Sequence, residues 1–138
     1  MMSPKDLFDR VGSPLLNVRR SWGSIRPIDG AVFLRVWQDE CHKIDGQYFV
    51  RITANRYFLE QDPTNFGYQE RLDHVEKIKA GSQAYLVMCR AKDPKAHPRA
   101  IAGINDRELF KGGAIREIDG DIWIALENRI PVGEVRAN

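Results

Sequence analysis

Cations and flat aromatic rings are interleaved in three stretches of this 138-residue chain. Arg19, Arg20, Trp22 and Arg26 form the first; Phe33, Arg35, Trp37, Phe49 and Arg51 lie along two apolar runs; Lys92, Lys95, His97 and Arg99 fall within eight positions. Arginine and lysine neutralise phosphates, and rings stack on an unpaired or extruded base, so this pairing of residue types suits nucleic-acid binding. In the last stretch Pro94 and Pro98 limit the freedom of the segment that carries the charge, which favours phosphate contact. Two plainer readings compete. The aromatic residues of the apolar runs pack under a helix, with Arg35 and Arg51 reaching its acidic side chains, and the 92–99 segment is a solvated connector.

Other chemistry is poorly served. Cys41-His42 beside Asp39 and Glu40 supplies a nucleophile, a base and acids, but neighbours in a strand or turn point apart and do not form a nucleophile–base hydrogen bond. Cys41, His42, Cys89 and His97 lack the close-spaced pairs of a structural zinc site, and His74 sits beside an apolar stripe as a boundary residue. Gly112-Gly113 stands alone, with no phosphate-cradling glycine loop, and Asp119 and Asp121 read as turn residues, not as an acidic centre with Glu127. No catalytic residue, metal or cofactor is assigned.

The elements that must position the rings and cations follow from a phrase used three times. Ile28-Asp29-Gly30, Ile44-Asp45-Gly46 and Ile118-Asp119-Gly120 each precede an alternating apolar run, as expected of a tight turn entering a half-buried strand. One parity is nearly all aliphatic: Val32, Leu34, Val36; Tyr48, Val50, Ile52; Ile122, Ile124, Leu126. Strands are predicted near 31–38, 47–54, 84–91, 100–104, 114–118 and 122–127, the first two joined as a hairpin. The 84–91 strand is apolar on both parities and belongs near the middle of the sheet. Ser3-Pro4 opens a short helix that stops at Gly12, and residues 68–81 form the main helix, with Tyr68, Leu72, Val75 and Ile78 inward and Glu70, Arg71, Glu76, Lys77 and Lys79 solvated. Residues 61–67 read as a loop, and Asn105–Phe110 as one helical turn. Without regular strand–helix alternation, the expectation is one α+β domain over 1–138: a small, curved, mostly antiparallel sheet or pseudobarrel of five to six strands, one main helix and one short N-terminal helix.

Composition is ordinary for a folded domain, at 43% hydrophobic and 29% charged. The 21 basic and 19 acidic residues leave a net charge of +2, so affinity for a polyanion must come from a local patch. No apolar run approaches the roughly 18–20 residues that span a bilayer, and Asp6 and Asp9 interrupt any leader-like stretch. Two cysteines are too few for a disulfide scaffold, and a cytoplasmic protein without a membrane partner is expected.

The segment Ser21-Trp22-Gly23-Ser24-Ile25-Arg26-Pro27, through Asp29-Gly30 into Val32–Trp37, resembles the opening of PUA-like domains of the EVE and ASCH kind, and Arg99–Ile104 is similar to a second barrel strand of that type. The stretches LRVWQDE and CRAKDPKAHPRAI also resemble a family of small bacterial and phage proteins, some encoded near restriction or nuclease genes. The PUA-like resemblance implies binding of RNA, or of DNA with a modified base, with Trp22, Trp37 and Arg26 as the positions to carry across. The acidic pair Asp39-Glu40 and the long main helix depart from that pattern. The expectation is a non-enzymatic nucleic-acid-binding module, for DNA or RNA, using Arg19, Arg20, Arg26, Arg35, Lys92, Lys95, His97 and Arg99 with Trp22 and Trp37. The alternative is a small protein-interaction or homodimerising domain whose aromatic face docks a partner.

Overall fold

The structure is a computed structural model that describes residues 2–97 and 99–135. Helix α1 (Pro4–Arg10) begins where the Ser3 hydroxyl accepts from the Asp6 amide. Strands β1 (Gly23–Ile25) and β2 (Val32–Trp37) lead through a 3-10 turn at Gln38–Glu40 into β3 (Cys41–Ile44) and β4 (Gln47–Thr53). Helices α2 (Asn55–Gln61) and α3 (Phe66–Lys79) follow, then β5 (Ala84–Ala91), β6 (Ile101–Ile104), β7 (Glu108–Ile118), β8 (Asp121–Pro131) and a 3-10 turn at Val132–Glu134.

The α+β class is as expected, but the strands form one mixed, open sheet of eight, in the order β1-β2-β5-β7-β8-β4-β3 with β6 on β5. The expected five to six strands fall short by β1 and β3. β1 has only three residues, and β3 is an edge strand with His42 and Lys43 exposed, so neither shows an apolar alternation. Of the described pairings only β2 with β5 is parallel. β5 lies between β2 and β7, in keeping with its two apolar parities. The expected hairpin of the first two long strands is instead β3–β4, closed by Asp45 and Gly46 at φ 50° and 83°. Asp119 and Gly120, at φ 51° and 86°, close β7–β8 the same way. Asn105 starts no helix: its Oδ1 accepts from the Arg107 and Glu108 amides and steers the chain into β7.

The aliphatic parity is the inner face. Val32, Leu34, Val36, Val50, Ile52, Ile122, Ile124 and Leu126 form one cluster with Val75 of α3. Tyr48 is the exception, exposed at the start of β4. The opposite face of β2 and β5 is covered by α1 and the C-terminal turn: Phe33, Val87 and Cys89 pack with Leu7, Phe8, Val132 and Val135. The main helix therefore covers the aliphatic face, not the aromatic one.

The sheet curls enough to bring two strands that are not paired close together at a seam. β2 and β4 are separated by β5, β7 and β8 in strand order, yet one guanidinium reaches both. Arg71 Nη1 donates to Ile52 O on β4, and Nη2 donates to Arg35 O on β2 at 2.8 Å and to Trp22 O at 3.0 Å. Arg71 is 3% exposed, whereas a single apolar stripe would leave it solvated. Because α3 is wedged between two sheet margins, it buries more of its circumference than one stripe.

One turn further on, His74 is also buried and its Nδ1 has no partner. Burial, reinforced by the Arg71 charge, draws its pKa from 6.5 down to about 4, while Asp73 opposes this. The unfolded chain then takes up the proton more readily than the fold does. The stabilisation is complete above about pH 6.5 and is lost as pH falls toward 4, an effect on the order of 3 kcal/mol. Urea unfolding at pH 7 and pH 4 should show wild type losing that much more stability than His74→Gln; equal losses would contradict the assignment. Among the described residues no helix is long and apolar enough to cross a membrane.

Candidate nucleic-acid interface

Helix α2 has Ala54 at its N-cap and gains no bond from that side chain. Asp121, buried at the start of β8, substitutes: its Oδ1 accepts from the Arg56 amide at 3.0 Å, and Oδ2 pairs with Arg51 at 3.2 Å. So anchored, α2 presents two rings side by side. Phe58 stacks on Tyr68 of α3 with centroids 5.0 Å apart and lies 5.1 Å from Trp22. Tyr57 meets Phe58 edge-on at 5.0 Å and stacks on His97 at 4.6 Å with an interplanar angle of 20°. Trp22, Phe58, Tyr57 and His97 thus form a continuous chain of rings across α2.

The first basic segment reaches one end of that chain. Asn17 Oδ1 accepts from the Arg19 and Arg20 amides, and Glu70 of α3 accepts from the Ser21 hydroxyl at 2.8 Å and the Trp22 amide at 3.1 Å. The indole lies directly on Gly67: a Cβ there would stand 2.2 Å from the ring, so α3 must carry glycine where the tryptophan crosses it. Arg19 and Arg20 are left exposed, with Arg20 6.0 Å from the Phe66 ring centre. The second basic segment reaches the other end. The Lys92 amide donates to Ala100 O at 2.9 Å, Asp93 Oδ1 accepts from the Lys95 amide at 3.0 Å, and Lys92, Lys95 and His97 are exposed. Pro98 lies outside the described residues.

Four of the predicted residues lie elsewhere or are already engaged. Arg26 departs from the expectation of phosphate contact: it is 2% exposed, grips Asp29 through Nε and Nη2, and donates through Nη1 to Val11 O and Val135 O. Arg35 is half-buried, and burial lowers its pKa against the opposing pull of Cys89 and Glu70. Trp37 is half-buried beneath the Arg99 guanidinium, 5.3 Å from its ring centre. Arg99 in turn pairs with Asp39 at 2.9 Å and Glu40 at 3.2 Å. Glu40 also holds Arg51, at 2.6 Å, so Arg51 does not reach across to the acidic side of α3. Sequence reasoning missed Tyr57 and Phe58, because α2 is only seven residues long and too short to display a helical period, and it left Glu70 on the solvated side of the main helix, where it instead holds the Ser21 hydroxyl and the Trp22 amide.

Cys41 and His42 form no dyad. Alternation along β3 leaves Cys41 half-buried, its Sγ against Trp37 O at 3.9 Å, while His42 is exposed with its ring 5.5 Å from Trp123. Burial, with Asp39 and Glu40 adding to it, pushes the Cys41 thiol up to about 11, so it is protonated at neutral pH. Among the described residues no three His, Cys, Asp or Glu side chains converge as a metal-binding group. No family model matches this chain, and no curated protein or solved structure is significantly similar to it.

Proposed function

We propose that this chain is a non-enzymatic nucleic-acid-binding module whose contact surface is the ring chain of α2 and the two cationic segments that flank it. The observation that carries the reading is the shared anchor. Trp22 of the first segment and His97 of the second both pack on α2 rings, so two segments 75 positions apart at those residues are joined by three ring contacts.

Arg19, Arg20, Lys92 and Lys95 are exposed, and none is in an ion pair with a described residue. Free cations gain most from phosphates, because no internal pair must be broken first. The resemblance of residues 21–37 to PUA-like domains supports the same reading, including recognition of a modified or extruded base. In that version Trp37 would take the base, and Arg99 would have to swing off its ring.

Binding of labelled DNA and RNA oligonucleotides across a salt series tests the proposal. Replacing Arg19, Arg20, Lys92 and Lys95 together by Ala should weaken all sequences alike and reduce the slope of log K against log salt by about three to four. An unchanged slope, or no binding by wild type, would sink it. A second reading, a protein-docking or self-associating surface, draws on the exposure of Leu16 (85%) and Val18 (52%) just before the first segment. Association that persists at high salt and is lost in Leu16→Ser would favour it.

A further inference from the structure

Resting on that reading, we infer that the ligand is an unpaired strand, one base of which stacks on the outer face of the His97 ring while Lys92 and Lys95 take the adjacent phosphates. His97 has one face against Tyr57 and the residue is nevertheless exposed, so the ring is held by a neighbour and still reachable by a ligand. Tyr57 is itself backed by Phe58, which is stacked on Tyr68, and Tyr68 is 1% exposed. The outermost ring is therefore braced by a run of ring contacts, stacked, edge-on and stacked, that ends in the core, and a base that caps it meets a preformed plane. Stacking of this kind needs a base whose face is free, which a duplex offers only at its ends.

The remaining elements do not suit a duplex. α2 is seven residues long, and α3 turns Tyr68, Arg71, His74 and Val75 inward while Asp73 and Glu76 are exposed among its lysines. Neither presents a long cationic face to a major groove. Lys92 and Lys95 lie on the same tight loop as His97, held by the Asp93 contacts to the Lys95 and Ala96 amides, so ring and charges move together.

Fluorescence anisotropy with a short labelled oligonucleotide of mixed sequence, as single strands of DNA and RNA and as the matching duplexes, tests this. The single strands should bind at least about tenfold tighter than the duplexes. His97→Ala should cost about tenfold on the single strands, while His97→Phe should retain single-strand affinity. Equal binding of duplex and single strand, or no effect of His97→Ala where the four-cation variant does lose affinity, overturns the inference and leaves the broader reading standing. No binding of any form by wild type overturns both.

Discussion

Arg71→Leu is expected to lower the unfolding free energy by about 4 kcal/mol, a large share of the roughly 5–15 kcal/mol that holds a domain of this size together. Leucine fills part of the volume and removes the cost of burying a charge, which by itself would favour the variant. Against that stand the carbonyls of Ile52, Arg35 and Trp22, which lose this donor where two strands that are not neighbours in the sheet come together. Trp22 O also accepts from the Arg35 amide, so the loss falls mainly on the seam itself. Arg71→Lys keeps the charge but cannot span the gap with one planar group, and should recover less than half of the lost stability. Urea unfolding measures both; a cost below about 1 kcal/mol for Arg71→Leu would show that the seam closes without its bridge.

A comparable loss, also about 4 kcal/mol, is expected from Arg26→Ala. Here the guanidinium joins three parts of the chain: the end of α1 through Val11 O, the C-terminal turn through Val135 O, and the β1–β2 turn through Asp29. It also lies 5.1 Å from the Phe33 ring centre, so truncation removes packing as well as bonds. The hydrogen bonds from Arg26 hold the Asp29 carboxyl below its ordinary pKa, and in the variant that value should return upward, which carboxylate NMR titration would record. Asp29→Asn should cost less, because Asp29 is exposed and the two buried carbonyls keep their donor. If Arg26→Ala left stability intact but weakened oligonucleotide binding, its role would be contact and not anchorage.

Arg26 shows what a sequence discloses and what it withholds. Its partner stands three positions on, a spacing visible in the chain, but nothing local says that α1 and the C-terminus close over it. Arg99 is harder still, since its partner Asp39 is sixty positions away. A cation in a sequence has no address, and these two are occupied internally while Arg19 and Lys95 are not. The aliphatic alternation was legible because period two is a property of the backbone: Val32, Leu34 and Val36 all face the inner cluster. Arg71 was not, because a stripe argument assumes that a helix lies on a surface, and α3 sits in a gap. The candidate site was legible as two basic segments with rings; the helix that joins them was not.

The parallel union of β2 with β5 also dictates an order of assembly. The β3–β4 and β7–β8 hairpins close over two-residue turns and need no distant partner, whereas Val32 meets Ala84 only after everything between them has been brought round. Local pairing is fast and long-range closure is slow, so the hairpins and α3 are expected to form before the β2–β5 register zips. Until then the apolar edges of β2 and β5 are open to pairing with other chains, which makes the late closure of this register an expected point of exposure to aggregation.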